Sequence, residues 1–219
     1  MDILKRSDHS AVLAEETMPG ADLSRGDLSY SDLRGAKLVG ANMIGANLCG
    51  AKLSRAHFQK AKLMGAKAIG ANLAGADLSQ ANLGGADLCR ANLREVQFKE
   101  ADLSGANLSD GDLTEADLSG ADLTGAKLVR AILTRAQLNG VDFSHADLRG
   151  VDLSRCDLAG ANLNEANLRG AVLIQADLRL AKNLSCEQIR SAIIDKTTRL
   201  PSYIKLIWIG RDGFECRIK

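Results

Sequence analysis

Ala21-Asp22-Leu23-Ser24-Arg25 sets a register that the chain keeps, without insertion or deletion, as far as Ala176-Asp177-Leu178-Arg179-Leu180. Every position ending in 3 or 8 from Leu23 to Leu178 is a core-type residue: 27 of the 32 are Leu, and the others are Met43, Phe58, Ala68, Phe98 and Phe143. Two residues before each stands a small residue, Ala in 25 of 32 repeats, so the pattern is strict enough to test against each regular backbone. An α-helix takes about 3.6 residues per turn and would carry such a repeat around all its sides. A continuous strand alternates faces, so it would keep the small residue with the Leu two positions on but turn the next Leu the opposite way. The phase must therefore be reset once per repeat. Ser24-Arg25, Arg34-Gly35, Val39-Gly40, Ser104-Gly105 and Thr124-Gly125 lie where that reset falls, and their Gly and Ser are turn chemistry. Each repeat reads as a short extended arm with two inward side chains, followed by a corner.

Units this short cannot bury a core alone and must stack. A chain that turns a corner every few residues closes a loop and climbs, with backbone pairing between coils at about 4.8 Å. Leu over Leu fills the axis, and Ala beside it lets the walls come close. Ala21-Asp22-Leu23-Ser24-Arg25, Ala76-Asp77-Leu78-Ser79-Gln80 and Ala161-Asn162-Leu163-Asn164-Glu165 resemble the A(D/N)LXX motif of pentapeptide repeat proteins, over 160 of 219 residues. The resemblance implies an all-β solenoid, a right-handed quadrilateral β-helix with four repeats to a coil, hence 32/4 = 8 coils over residues 21–180. At the spacing above that is a rod of roughly 38 Å.

The ends depart from the repeat. Residues 1–20 are expected to cap the first coil, with a short helix between Ser7 and Glu16 that stops before Pro19-Gly20. An uncapped β-helix end exposes unpaired backbone and invites end-to-end association. Residues 181–219 form the other cap: Ser185-Cys186-Glu187-Gln188 is an S-x-x-Q capping box that starts a helix over about 186–195. After Pro201, the apolar run Tyr203–Ile209, the turn Gly210-Arg211-Asp212-Gly213 and the alternation of Phe214, Cys216 and Ile218 with Glu215, Arg217 and Lys219 predict a hairpin over about 203–219. Inside the rod, Ala68 is expected to leave a cavity costing about 2–4 kcal/mol, with Phe58 on the opposite wall as its filler. Val96, Val141, Val151 and Cys156 enlarge the small-residue position and are read as packing.

Composition narrows the function. The first twenty residues hold Asp2, Lys5, Arg6, Asp8, Glu15 and Glu16 and no apolar stretch, so no secretory signal is expected. No apolar run approaches the ~18 residues of a membrane span. Five Cys at no framework spacing point to a reducing compartment, and the chain is placed in the cytoplasm. Cys49 and Cys89 sit two coils apart, roughly 9.6 Å and too far to bridge, while Cys186 and Cys216 could meet in the C-terminal cap without anything requiring it. His9, His57 and His145 are far apart and joined by no metal-ligand spacing. No nucleophile–base constellation, P-loop or dinucleotide fingerprint is present. A rod filled by Leu leaves no concave pocket. No cofactor and no enzymatic activity are expected.

What remains is binding. Val39, Ile44, Cys49, Met64 and Ile69 occupy outward corner positions that elsewhere hold Ser, Thr, Arg or Lys, and form an apolar patch on the early coils. Trp208 in the tail is a further candidate for partner contact, including a homodimer. The favoured function is a non-catalytic scaffold or adaptor for another protein. An alternative rests on acidic walls: Asp102, Asp122 and Asp142 on one, Asp117, Asp157 and Asp177 on another. Some pentapeptide repeat proteins mimic the charge and width of DNA and bind type II topoisomerases such as gyrase, protecting them from quinolones. Against it, residues 21–100 carry 11 basic and 7 acidic side chains, net +4, and only residues 101–180 are acidic, with 7 and 12, net −5. Lys37, Lys52, Lys62 and Lys67 occupy the same outward positions in the first half. No aromatic residue is interleaved with these lysines, so direct nucleic-acid binding is not expected.

Overall fold

The computed structural model of the chain describes residues 14–209 and 213–218. Its backbone is organised by parallel bridges between residues 20 apart: Asp22 to Asn42, Asn42 to Lys62 and so on to Lys182, with the same step in the series through Asp27, Asp32 and Lys37. Four repeats therefore complete a coil, and the four series are the outward columns of four walls, numbered here first to fourth in that order.

The repeat accounts for nearly all its own amides. Leu23 N–H donates to Asn42 O in the next coil at 2.7 Å, Asn42 N–H returns to Ala21 O at 2.9 Å, Arg25 N–H reaches Ile44 O at 2.9 Å, and Gly26 N–H closes the corner on Leu23 O at 3.1 Å. The fifth amide, on Ser24, has no backbone partner and donates to Asp22 Oδ1 at 3.1 Å. Buried or crowded amides without a partner are costly, and this one explains why Asp or Asn stands before most of the core residues. At the third position of each corner the backbone takes positive φ, as in a type II turn. Gly65 (φ 63°) does so freely, but Arg25 (54°), Glu100 (54°) and Arg155 (63°) adopt the same conformation, so here the coil-to-coil bonds hold even residues with a Cβ in the left-handed region.

Leu, Ala and the three Phe of the repeat fill the interior, and Phe58, Phe98 and Phe143 are fully buried. Around Ala68 the residual cavity is only about 10 Å³, lined by Phe58, Leu48, Leu88 and their neighbours. At about 24 cal/mol per Å³ such a void costs a few tenths of a kcal/mol, not the 2–4 expected from the deleted Leu, because the Phe58 ring occupies the space.

Both ends differ from the sequence-based expectation. The N-terminal boundary at residue 20 is too late: Thr17 bridges Lys37 and Met18 is buried in the core position, so the repeat already runs through Glu16-Thr17-Met18-Pro19-Gly20. Glu16 at the small-residue position hid this, and its side chain is exposed. Of the helix expected from Ser7 to Glu16, residues 7–13 lie outside the described residues, and Glu15 is a corner residue (φ 61°) bonded to Arg34 O. At the other end Asn183 (φ 57°) inserts one residue and moves the buried Leu to position 184. The helix α1 spans Cys186–Ser191, with the capping box formed as expected, but stops short of residue 195. Ile193 N–H bonds Ala171 O at 2.8 Å, so the chain rejoins the ladder, pairing Ile193 with Val172 and then Arg199 with Asp177. Strands β1 (Ile204–Ile209) and β2 (Gly213–Ile218) pair antiparallel, Ile204 opposite Ile218 and Ile209 opposite Gly213. A disulfide joins Cys186 in α1 to Cys216 in β2, Cα atoms 5.5 Å apart. Cys49, Cys89 and Cys156 are free. Among the described residues no helix is long and apolar enough to cross a membrane.

Candidate functional site

With the axis filled, the side chains available to a partner are those on the walls, the corners and the hairpin. The acidic candidates fall on two adjoining walls. Asp102, Asp122 and Asp142 bridge one another in sequence on the first wall, and each takes the corner amide two residues on, Ser104 at 3.0 Å, Thr124 at 2.8 Å and Ser144 at 2.8 Å. Among the described residues none of the three is in an ion pair. On the fourth wall Asp117 is buried and paired with Lys99 Nζ at 3.0 Å, Asp157 accepts from Ala159 N–H at 3.0 Å, and Asp177 is held by Arg179 and Arg199 at 2.6 and 3.4 Å. The Arg179 guanidinium keeps the Asp177 carboxyl ionised down to about 2. Arg34 and Arg149 likewise hold Asp32 and Asp147 below the usual carboxylate range. At the corners, Arg130 clamps Asp110 through two bonds of 2.8 and 2.9 Å. Much of the acidic charge is thus neutralised locally, whereas the three carboxylates of the Asp102–Asp122–Asp142 column stand at consecutive coils without an ion pair among the described residues.

Asn does the same structural work as Asp, since Asn162 Oδ1 accepts from Asn164 N–H at 3.2 Å. Asp122→Asn is therefore expected to leave the melting curve unchanged, whereas Asp122→Ala, which orphans the Thr124 amide, is expected to lose about 1 kcal/mol in chemical denaturation.

The early apolar residues come out on three walls: Val39 on the fourth, Ile44 and Met64 on the first, Cys49 and Ile69 on the second. Met64 is 48% exposed, Val39 41% and Ile69 40%, while Ile44 and Cys49 are half-buried. The corner between the first and second walls is bare, because a Cβ at Gly65 or Gly85 would meet nothing within 4 Å. Sequence reasoning missed Tyr30, exposed at 72%, whose ring lies so flat over Gly50 that a Cβ there would come within 2.6 Å of it. The signal was present: Tyr30, Gly50 and Gly70 share one corner at the coil spacing. It also missed Ile132 and Val172, which replace Asp or Asn on the third wall.

Trp208 faces the inner side of the hairpin, half-buried, its ring centroid 5.5 Å from that of Phe214 in an edge-on contact. The hairpin's exposed apolar residues are Ile207, Ile209 and Ile218. Elsewhere reactive groups are isolated. His145 Nδ1 sits 3.1 Å from Glu165, the buried Cys156 thiol donates to Leu133 O and is pushed up to about 12 by burial, and among the described residues no three His, Cys, Asp or Glu cluster as metal ligands.

Comparison with known proteins places this geometry. A family model described as Pentapeptide repeats matches in eight copies between residues 10 and 182. No curated protein matches the chain. Among solved structures, HetL of Nostoc sp. strain PCC 7120, a pentapeptide repeat protein involved in heterocyst differentiation regulation, is 29% identical over 91% of this chain and 90% of its own, with a TM-score of 0.30. Rfr23 of the cyanobacterium Cyanothece 51142 is 28% identical over 57% of this chain and 63% of its own, at 0.33. The plasmid-mediated fluoroquinolone resistance protein QnrB1 is 19% identical over 90% and 93%, at 0.45. The repeat matches cover most of the chain, which therefore belongs to the pentapeptide repeat family, whose members wind as right-handed quadrilateral β-helices.

Proposed function

We propose that this chain is a non-catalytic scaffold or adaptor, a rigid column that offers flat walls to another protein and carries no cofactor. The observation behind this reading is the early-coil patch. Ile44, Met64, Cys49 and Ile69 stand close together at corners that mostly polar residues fill elsewhere, flanking a Gly edge that lets a partner approach the backbone. Exposed apolar side chains grouped in this way are the usual mark of a docking surface. Ile207 and Ile209 on the hairpin, beside Trp208, supply a second contact through which the chain can dimerise. The test is affinity capture from the native host with the wild-type chain and with Ile44→Ser/Met64→Ser/Ile69→Ser in parallel. Proteins retained by the first and lost by the second support the reading, and identical recovery refutes it.

A second reading, a DNA-mimicking modulator of a type II topoisomerase, has one observation in its favour: the three unpaired carboxylates of Asp102, Asp122 and Asp142 stacked at consecutive coils. The pairing of Asp32, Asp110, Asp147 and Asp177 with arginines opposes it, because a duplex mimic needs a dense negative field along most of its length. A gyrase supercoiling assay that shows neither inhibition nor drug protection removes this reading.

A further inference from the structure

Between residues 22 and 182 the outward position that precedes each core residue carries an aliphatic side chain only twice, at Ile132 and Val172, and both stand on the third wall. The exchange has a cost. Ser154 N–H is taken by Asp152 Oδ1 at 2.9 Å, but Ile132 and Val172 offer no acceptor to the equivalent amides of Thr134 and Ile174. Each missing bond is worth about 1 kcal/mol, and nothing is gained inside the column, since both side chains point outward. Ile193, paired with Val172, extends the strip past the last full repeat. Ile132 is 44% exposed and Ile193 51%. Asp152 stands between Ile132 and Val172 in the same column. It accepts from the Thr134 hydroxyl at 3.1 Å and, among the described residues, is in no ion pair. The late third wall is thus a β-branched apolar strip centred on a carboxylate.

The early-coil patch is its complement in charge as well as in character. Lys62 lies beside Met64 and Lys67 beside Ile69, and neither lysine is in an ion pair among the described residues. The same opposition holds for the halves of the rod, +4 over residues 21–100 and −5 over 101–180. We infer that the late third-wall strip docks on the early-coil patch of a second copy of this chain, Ile132, Val172 and Ile193 covering Ile44, Met64 and Ile69, with Asp152 against Lys62 or Lys67. Two different surfaces meet, so the contact is of the head-to-tail kind, in which each added copy leaves one of each surface free until a ring closes. The inference rests on the early-coil patch being a docking surface, as in the function proposed above. It adds the occupant.

Sedimentation velocity on the full chain tests it with two variants that keep the fold. Ile132→Asn/Val172→Asn restores the corner acceptors that Asn provides elsewhere, and Ile44→Ser/Met64→Ser/Ile69→Ser places Ser where Ser24, Ser104 and Ser109 already stand. A cooperative melting transition at or above that of wild type for the first variant, and matching it for the second, establishes that both are folded. The wild-type chain is expected to grow with concentration and to shrink when salt rises from about 0.05 to 0.5 M. Each variant alone is expected to lose that growth, and an equimolar mixture to form one-to-one pairs and nothing larger, since each supplies the surface the other lacks. A wild-type chain of constant size up to roughly 100 µM, a variant that assembles like wild type, or a mixture that fails to pair overturns the inference. So does a dimer untouched by both sets of substitutions, which assigns assembly to the hairpin instead. If the early variant loses its captured partners while self-assembly persists, this inference fails and the scaffold reading stands. If self-assembly is lost and partner recovery is unchanged, the reverse holds.

Discussion

Phe58→Ala is expected to destabilise the fold by about 3–5 kcal/mol, at the upper end of large-to-small core changes. The ring is fully buried and lies against the only small residue in the core column, Ala68, leaving about 10 Å³ unfilled. Removing the ring joins its volume to that void, and the surrounding Leu side chains, held by a backbone bonded to the coils above and below, cannot collapse inward. The pair Phe58 and Ala68 acts as one unit of volume. Ala68→Leu alone overpacks and costs about 1–3 kcal/mol, and Phe58→Leu alone leaves a void. The double variant restores two Leu of the ordinary repeat and is expected to return to within about 1 kcal/mol of wild type, a coupling of about 2 kcal/mol. Chemical denaturation of the four proteins measures the coupling; strict additivity would show that the two residues do not share a cavity.

Gln188→Glu in α1 is expected to cost about 2–4 kcal/mol at neutral pH, more than Gln188→Ala. The amide is used at both ends: Oε1 accepts from Ser185 N–H at 2.7 Å, and Nε2 donates to Leu163 O at 2.7 Å and to Ala166 O at 2.9 Å. Ala166 O is the carbonyl to which a further coil would have donated, as Asn42 N–H does to Ala21 O, so Gln188 stands in for the missing rung there, and it adds a second donor to Leu163 O, which already takes the corner amide of Ala166 at 3.2 Å. Ala leaves Ala166 O without a donor and Leu163 O with the corner amide alone. Glu sets a carboxylate oxygen against two carbonyls, and its proton affinity in the fold must rise above that in the unfolded chain. A group with a raised carboxyl value destabilises when ionised, so stability lost at neutral pH should recover as pH falls and the carboxyl protonates. Melting temperatures for both variants between neutral and mildly acidic pH check the sign; a Glu variant that weakens further on acidification, beyond the change in wild type, contradicts it.

The column could be read from Leu, Ala and the period alone because burial tolerates no exception along the axis: one wrong side chain in the middle of the stack meets neighbours above, below and opposite. The role of Asp and Asn could not be read that way. Nothing in the period says that the corner amide two residues on lacks a backbone partner, and only the hydrogen bonds between coils reveal it. At the ends the pattern loses its force, since Glu16 stands at the small-residue position with its side chain exposed and Met18 fills the core position as well as Leu does. The capping box at Ser185 was legible because it is local, whereas the end of α1 is decided by Ile193 pairing with Val172, a contact between coils. Val39, Ile44, Cys49, Met64 and Ile69 stood out as apolar residues at polar positions. Tyr30, Ile132 and Val172 carry the same signal, but their meaning depends on which wall they share.

Amide hydrogen exchange resolved by residue tests the ladder most directly. Slow exchange is expected at four of every five amides from Leu23 to Leu178. The fifth should divide by its neighbour, with Thr124, Ser144 and Ser154 protected by Asp122, Asp142 and Asp152, and Thr134 and Ile174, which follow Ile132 and Val172, exchanging at least about tenfold faster. Protection that repeats at a helical spacing, or that is uniform whether or not Asp or Asn stands two residues before, would contradict the stacked four-sided coil and the reading of its walls.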